Sequence, residues 1–366
     1  MAHVRLDKIS KKYGGHTALN KLDLDIADGQ FFVLLGPTGA GKTTTLRLIA
    51  GLDAPSSGSI AIDDQDVSGW SAAERDVALV FQYYSLYPHY TVRQNLEFPL
   101  KSKVRRMSQQ DIDQRIAKAS KTLRIEHLLE RKTDRLSGGE MQRVSIGRAI
   151  VREPRVFLMD EPLSNLDAKL REILRSELKD LQMKLGATFL YVTHDQVEAM
   201  SMGDRVGVLH QGRIIQVGTP QQIYNQPRDT FVATFVGSPA MNLLPAMVNG
   251  AKAVVLPGKL EIPVERAAGG RAGLLAGQAT LGIRSEDVTV GPDEAVEARV
   301  HGVENQGVEK VVTLRVGDCP IKATVPARLE LGIDSVVRFS FKQEKLHFFD
   351  TQSGHNLYYG EEETNG

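Results

Sequence analysis

Residues 31–43 read Phe31-Phe32-Val33-Leu34-Leu35-Gly36-Pro37-Thr38-Gly39-Ala40-Gly41-Lys42-Thr43, an apolar run that leads directly into a glycine-rich loop. Five consecutive apolar residues predict a parallel β-strand that is covered on both faces. The glycines of the loop allow backbone N–H groups to turn inward around phosphate oxygens. A helix beginning near Lys42 would add the positive end of its dipole. The sequence therefore predicts a phosphate-binding loop within an α/β fold.

Two side chains at the end of this loop have the chemistry that a nucleotide triphosphate needs. The Lys42 ammonium is a point charge suited to the β- and γ-phosphates, and the Thr43 hydroxyl is suited to Mg²⁺. The alternative is a glycine-rich turn that binds nothing. The strand before the loop and the helix after it disfavour that alternative.

Polar side chains also follow three other strand-like runs. The runs and their polar neighbours are Val77–Phe81 before Gln82, Val156–Met159 before Asp160 and Glu161, and Thr188–Val192 before His194. In open parallel sheets, ligands bind at the carboxyl ends of the strands. We therefore expect these side chains to meet beside the phosphate-binding loop.

Each of these polar side chains has an expected role in ATP hydrolysis. Asp160 is expected to hold Mg²⁺ through water, because this ion keeps much of its hydration shell. Glu161 can take a proton from the attacking water. His194 can contact the γ-phosphate and orient Glu161, and the amide oxygen of Gln82 can reach the metal or the water. The alternatives are a surface acidic pair for Asp160 and Glu161 and a packed or solvated histidine.

The pentapeptide Leu136-Ser-Gly-Gly-Glu140 predicts the beginning of a helix. Ser137 and Glu140 have the spacing of a capping box, in which each side chain satisfies a backbone N–H of the other residue. Such a helix start also offers free N–H groups to an anion. Both readings can hold together, and the anion would then be the γ-phosphate of an ATP that a second copy of the chain holds.

In this order the motifs resemble those of the ATPases of ATP-binding-cassette (ABC) transporters, over roughly residues 3–235. The resemblance implies a homodimer, or a pair of related ATPase subunits, with two ATPs between head-to-tail protomers. The residues implied in nucleotide binding are Tyr13 as the stacking aromatic, Gly36, Thr38, Gly39, Ala40, Gly41, Lys42, Thr43 and Thr44. Those implied in contacts to the partner protomer are Ser137, Gly138, Gly139, Glu140 and Asp167. The implied Mg²⁺ ligands are Thr43, Gln82 and Asp160.

One residue departs from the family pattern, because Glu140 stands where the family usually has glutamine. A carboxylate near a triphosphate is unfavourable unless it turns back onto its own helix, as a capping box would make it do. We expect a slightly altered nucleotide affinity rather than a loss of activity.

The length of 366 residues favours two domains. We predict an ABC nucleotide-binding domain over 1–235 with an inserted helical subdomain at about 88–150. Short alternating segments separated by turns predict an all-β domain over 236–360. The acidic end, 361–366, is expected to be a disordered tail.

Composition limits the partners. Lys and Arg number 45, as do Asp and Glu, and this balance argues against nucleic acid as the main partner. The single cysteine, Cys319, fits a reducing cytoplasm and is expected to be inert. We find no signal peptide and no apolar stretch near the roughly 20 residues of a spanning helix. A transport role therefore requires separate membrane subunits.

Three segments of the second domain, 235–242, 281–286 and 347–350, resemble the C-terminal regulatory domain of maltose-transporter-type ATPase subunits. That resemblance implies paired barrels like those of oligonucleotide-binding proteins. It also implies a peripheral ATPase at the cytoplasmic face of the bacterial inner membrane. The implied partners are two transmembrane permease subunits and, indirectly, a solute-binding protein. The expected cargo is a sugar or a sugar derivative.

Three alternatives stay open at this point. An importer of polyamines, iron or an oxyanion would share every catalytic motif. A soluble ABC protein acting on ribosomes or DNA would usually carry two cassettes or a long coiled coil. The aromatic loop Tyr83-Tyr-Ser-Leu-Tyr87 is either the cleft that receives a short permease helix or local core packing.

Overall fold

The computed structural model describes residues 2–101, 107–256, 260–267 and 275–359. The chain forms two compact units that divide between Pro220 and Gln221, whereas the sequence placed the domain boundary after residue 235. The expected disordered tail, 361–366, lies outside the described residues. Among the described residues, none of the helices combines the length and the apolar character that a membrane crossing requires.

Within its described residues, the first unit contains ten strands and most of the helices. The strands are β1 (Val4–Tyr13), β2 (His16–Ile26), β3 (Phe31–Leu35), β4 (Ser57–Ile62), β5 (Gln65–Asp66), β6 (Val77–Val80), β7 (Val156–Asp160), β8 (Thr188–Thr193), β9 (Arg205–His210) and β10 (Arg213–Gly218). The helices are α1 (Lys42–Ile49), α2 (Val92–Glu97), α3 (Gln109–Leu123), α4 (Gly138–Ile150), α5 (Ala168–Leu185), α6 (Gln196–Met202) and α7 (Pro220–Asn225), which ends in the second unit.

A six-stranded sheet in the order β10-β9-β3-β8-β7-β6 forms the centre of the first unit. The pairs β3–β8, β8–β7, β7–β6 and β3–β9 are parallel, and only β10 runs antiparallel to its neighbour β9. The four strands predicted from apolar runs are therefore confirmed as neighbours in one sheet. Because they are parallel, their carboxyl ends meet at one edge. A second, antiparallel sheet has the order β2-β1-β4-β5.

The inserted segment between β6 and β7 is helical, as predicted, and contains α2, α3 and α4. The buried positions of α3 are Ile112, Ile116, Ala119 and Leu123, together with Ser120. This helix ends at Leu123. Arg124 adopts a left-handed conformation with φ of 56°, and Leu128 lies in a separate 3₁₀ turn.

The second unit contains α8 (Thr230–Phe235) and two five-stranded antiparallel sheets. One sheet has the order β13-β12-β11-β14-β20, from β11 (Asn242–Asn249), β12 (Lys252–Val255), β13 (Leu260–Pro263), β14 (Ala276–Ile283) and β20 (His347–Phe349). The other has the order β15-β19-β16-β17-β18, from β15 (Val288–Val290), β16 (Val296–Asn305), β17 (Glu309–Val316), β18 (Cys319–Pro326) and β19 (Val336–Phe341). Residues of both sheets share one apolar core, so the prediction of an all-β domain is confirmed.

A buried arginine is one of the groups that hold residues 221–235 in the second unit. Arg284 is 4% exposed, and its guanidinium donates to the carbonyls of Tyr224 and Val236 at 2.7 Å each. It also lies 3.7 Å from the centre of the Tyr224 ring. Burial and this nearby cation lower the pKa of His347 to about 4. The sequence motifs around 237, 284 and 347 therefore meet in one buried polar cluster.

In the opposite sheet, burial raises the pKa of the Cys319 thiol, as expected of an inert cysteine.

Candidate active site

A cavity of about 510 Å³ opens where the glycine-rich loop meets the carboxyl ends of the central strands. Most of the residues predicted to bind nucleotide line it. The lining residues are Tyr13, His16, Ala18, Thr38, Gly39, Gly41, Lys42, Thr43, Thr44, Gln82, Glu161 and His194. The sequence analysis missed His16 and Ala18. The hairpin turn at Gly14-Gly15 was the available signal, because it pairs Tyr13 with His16 across β1 and β2.

Two predicted residues of the loop support the cavity from behind. A Cβ at Gly36 would lie 2.4 Å from the Leu209 carbonyl oxygen, so only glycine fits there. Ala40 is buried and accepts a hydrogen bond from the Gly212 backbone. Gly41 has φ of 111°, a conformation that favours glycine, and it precedes α1 directly. The loop is therefore fixed against β9 and the turn after it.

The carboxylate of Glu161 lies between Lys42 and His194. Its Oε1 is 3.3 Å from Lys42 Nζ, and its Oε2 is 2.9 Å from His194 Nδ1. Lys42 is 5% exposed and also donates to the carbonyls of Gly36 and Pro37. Three residues from three separate segments of the sequence thus meet at one carboxylate.

The backbone at Glu161 is strained. Its φ is 43°, a left-handed conformation that costs a non-glycine residue about 1–2 kcal/mol. The Glu161 backbone N–H donates to the Val192 carbonyl, and its carbonyl accepts from the Ser164 hydroxyl at 2.9 Å. These contacts hold the turn that aims the side chain into the cavity.

Oxygen ligands suited to Mg²⁺ lie beside this carboxylate. Thr43 Oγ1 is 3.1 Å from Asp160 Oδ1. Burial raises the pKa of Asp160, and the hydrogen bond from Thr43 opposes that rise. Gln82 lines the cavity, and its amide nitrogen donates to Ser164 at 3.3 Å. Hydroxyl, carboxylate and amide oxygens are the hard donors that this ion prefers, so the residues present fit it.

The signature pentapeptide begins α4 with the predicted capping box. Glu140 Oε2 accepts from the Ser137 backbone N–H at 2.8 Å and from its hydroxyl at 2.8 Å. The Ser137 hydroxyl in turn accepts from the Glu140 backbone N–H. The backbone hydrogen bond from Ser137 lowers the pKa of Glu140, and the nearby Arg131 lowers it further. None of 136–140 lines the cavity of its own chain.

Asp167 caps α5 through a hydrogen bond from the Leu170 backbone N–H at 3.0 Å. This helix spans Ala168–Leu185, and it ends at Gly186 with φ of 59°. A Cβ at Gly139 would lie 2.6 Å from a methyl group of Leu170. The start of α5 therefore packs closely against the start of α4.

Tyr13 is held by two residues that the sequence analysis missed. The Tyr13 hydroxyl donates to Asp53 Oδ2 at 2.8 Å, and Arg47 of α1 lies 2.7 Å from the same oxygen. Lys11 Nζ lies 4.8 Å from the centre of the Tyr13 ring. The ring is 43% exposed and borders the cavity, so its orientation depends on this polar support. No motif in the sequence marks Asp53.

An exposed aromatic patch lies after Gln82, formed by Tyr83, Tyr87, Tyr90 and Phe98. Tyr83 is 73% exposed, and the ring of Tyr87 lies 4.5 Å from that of Phe98. The segment is tied to α4, because Arg148 donates to the Ser85 carbonyl at 2.6 Å. These exposures argue against the alternative of local core packing.

Comparison with known families gives three matches along the chain. The ABC transporter family matches residues 19–164. The MalK OB fold domain matches residues 237–288, and the TOBE domain matches residues 281–349.

Relatives align over nearly the whole chain. The trehalose/maltose import ATP-binding protein MalK of Thermococcus litoralis is 46% identical and covers 98% of this chain and 100% of the relative. The sn-glycerol-3-phosphate import ATP-binding protein UgpC of Rhizobium meliloti is 50% identical, and the alignment covers 96% of this chain and 98% of the relative. The sulfoquinovosyl glycerol transport ATP-binding protein SmoE of Agrobacterium fabrum is 45% identical, and the alignment covers 98% of this chain and 100% of the relative.

Solved ABC cassettes share the fold of the first unit. The dimeric, post-hydrolysis structure of the cassette MJ0796 bound to ADP and Pi is 33% identical, with a TM-score of 0.53. It covers 59% of this chain and 98% of that chain. The cbiO1 structure from Clostridium perfringens is 30% identical, with a TM-score of 0.57. The alignment covers 60% of this chain and 89% of that chain.

The support of Tyr13 by Asp53 gives a testable prediction. Asp53→Ala should weaken ATP binding by about 0.5–1.5 kcal/mol, the usual worth of one hydrogen bond, and leave kcat unchanged. Tyr13→Phe keeps the ring and loses the same bond, so we expect a similar weakening. Titration calorimetry with ATP measures both variants. If the two residues act through this bond, the double variant loses no more than either single one. Independent, additive losses would contradict the prediction.

Proposed function

Because this chain belongs to the ATP-binding subunits of ABC transporters, we propose that it energises the import of a sugar or a sugar derivative. The alignment of both C-terminal domains with those of carbohydrate and glycerol-phosphate importers carries this proposal. Transporters of many different cargoes share the ATPase unit, so this unit does not identify the cargo. The cargo class therefore rests on the second unit and on relatives that align from end to end.

For hydrolysis, we assign Glu161 as the general base that accepts a proton from the attacking water. Its contacts with Lys42 and His194 support this role, since both hold the carboxylate at the cavity wall. Lys42 binds the β- and γ-phosphates, and His194 orients Glu161 and contacts the γ-phosphate. The backbone N–H groups of 38–43 surround the phosphate oxygens, and the Tyr13 ring stacks on the base.

Thr43, Asp160 and Gln82 would hold a magnesium ion. Such an ion neutralises charge on the β- and γ-phosphate oxygens. Asp160 bonds to Thr43, so the metal and the proton transfer are assigned to different carboxylates.

ATP binding closes a head-to-tail pair of protomers in this proposal. Ser137, Gly138 and Gly139 stand at a helix start outside the cavity of their own chain, and they would meet the γ-phosphate of the partner protomer. Asp167, exposed before α5, would contact the partner as well.

The aromatic patch would receive a helix from a transmembrane permease subunit at the cytoplasmic face of the membrane. Its exposed rings and its attachment to α4 support this role. Movement of the helical segment on ATP binding would then reach the permease, and a solute-binding protein would deliver the cargo to it.

Removal of the proposed general base tests the hydrolytic assignment. Glu161→Gln should bind ATP and lose turnover by about 10²–10⁴-fold, the typical worth of a positioned base. Glu177→Gln is the matched control, because Glu177 also pairs with a cation, Arg143, at 2.9 Å, and lies outside the cavity. Phosphate release measures turnover. Normal turnover in Glu161→Gln would refute the assignment.

Replacement of Glu140 tests whether the pentapeptide Leu136–Glu140 contacts the ATP that the partner protomer holds. Glu140→Gln keeps the capping box and removes one negative charge. We expect KM for ATP to fall up to about fivefold, because exposed charges contribute about 0.2–1 kcal/mol. Glu74→Gln is the control, since Glu74 accepts the same pair of bonds from Ser71. Equal KM changes in both variants would contradict the trans contact.

Reconstitution with the permease tests the import function. In proteoliposomes, a cargo-loaded binding protein should stimulate ATP hydrolysis by this chain, and a panel of sugars and glycerol derivatives identifies the cargo. Phe98→Ala in the aromatic patch should lower the ratio of stimulated to basal activity. Met183→Ala removes another exposed apolar side chain, from α5, and should leave the ratio unchanged. Hydrolysis indifferent to the permease would argue against transport.

A further inference from the structure

Arg171 connects two loops that border the cavity from different parts of the sequence. It lies in the first turn of α5, and helical side chains lean toward the helix start, so its guanidinium returns over the residues before the helix. One nitrogen, Nη2, donates to the Leu166 carbonyl at 3.1 Å. The other, Nη1, lies 3.3 Å from Asp195 Oδ2. Arg171 therefore joins the loop that contains Asp167 to the loop that contains His194.

Asp195 uses its two carboxylate oxygens for different purposes. Oδ1 caps α6 by accepting from the backbone N–H groups of Val197 at 2.7 Å and Glu198 at 3.2 Å. Oδ2 faces Arg171. The capping function and the ion pair can therefore be separated by changing one atom.

The residue on the other side of His194 is also fixed. The Thr193 hydroxyl accepts from the Asp195 backbone N–H at 2.9 Å and donates to Glu198 Oε2 at 2.6 Å. The same oxygen accepts from the hydroxyl of Tyr191, which is fully buried in β8. Glu198 is 2% exposed, and burial raises its pKa. A continuous set of polar contacts thus runs from the sheet core through Glu198 to Arg171.

The His194 ring itself is 52% exposed and bonds to Glu161. Besides the bond to Glu161, the direction of so exposed a ring depends on the backbone that carries it. We propose that Arg171 and Asp195 are positioning residues for ATP hydrolysis, whose ion pair fixes His194 relative to the loop before α5. The proposal rests on the roles assigned above to His194 and Glu161.

This arrangement also relates the partner protomer to catalysis. Leu166, whose carbonyl Arg171 holds, directly precedes Asp167, the residue assigned to contact with the partner. Engagement of that loop would set the position of Arg171 and, through Asp195, the loop of His194. Neither positioning residue lines the cavity, so neither touches the nucleotide in this arrangement.

Asp195→Asn tests the ion pair alone. Asparagine keeps the oxygen that caps α6 and is itself a favoured cap, but its NH₂ group cannot accept from Arg171. We expect kcat to fall about 10- to 100-fold, the cost of a small misplacement of a catalytic group. The dissociation constant for ATP should stay within about twofold, because the affected interaction belongs to the transition state.

Arg171→Met and the double variant test whether the two residues act together. Arg171→Met should lower kcat as Asp195→Asn does, and the double variant should fall no further than either single variant. Arg171→Lys, which retains the charge, should recover part of the loss. Lys179→Met is the control, since Lys179 on the same helix pairs with Asp204 at 2.6 Å away from both loops. The control should keep its kcat.

Thermal unfolding of each variant separates positioning from general destabilisation. An unchanged kcat in Asp195→Asn, or a double variant in which the two losses multiply, would overturn the proposal. Glu161→Gln is measured beside these variants. If it is inactive while Asp195→Asn is fully active, the positioning role fails and the proposed hydrolytic mechanism stands. Normal turnover in Glu161→Gln would remove that mechanism and the positioning role with it.

Discussion

The carboxylate of Glu161 depends on two partners that reach it from different strands of one sheet. Lys42 begins α1, directly after the loop that follows β3, and His194 comes from the loop after β8, which lies between β3 and β7. This convergence is available only because the three strands are parallel and neighbouring, so that their carboxyl ends meet. The strained backbone of Glu161 is held in place by Val192 and Ser164. The buried sheet thus fixes the positions of these three side chains.

A second set of contacts holds the groups that surround this centre. Tyr13 depends on Asp53 and Arg47, and the loop of His194 depends on Arg171 and Asp195. In each case an exposed ring is oriented by an ion pair attached to a helix of the first unit. Such pairs at the surface add little stability, so their value lies in geometry. Geometry is also what matters at Glu140, whose carboxylate is turned onto Ser137 at the start of its own helix.

The second unit is held together by apolar packing and buried hydrogen bonds. Its two sheets share one apolar core, and a buried arginine and the cluster of Ala233, Met241 and Phe349 tie the preceding helices to them. Leaving the carbonyls of Tyr224 and Val236 without a donor would cost about 1–3 kcal/mol each, so Arg284 contributes to holding these helices on the sheets. The alternating pattern of the sequence predicted the strands correctly. The sequence did not indicate that α7 and α8 pack with these strands, because the periodicity of a helix does not identify the element against which it packs.

The sequence alone determined the strands, the glycine-rich loop, the capping box at Ser137 and the identity of the residues that line most of the cavity. These features are local: an apolar run, a glycine spacing or a capping pair constrains the few residues that carry it. Tertiary structure alone decided that Asp53 supports Tyr13 and that Arg171 reaches Asp195. These partners are separated by many residues, and each is an ordinary charged or polar side chain in its own neighbourhood. Only the strand order and the packing of α5 bring them within hydrogen-bonding distance.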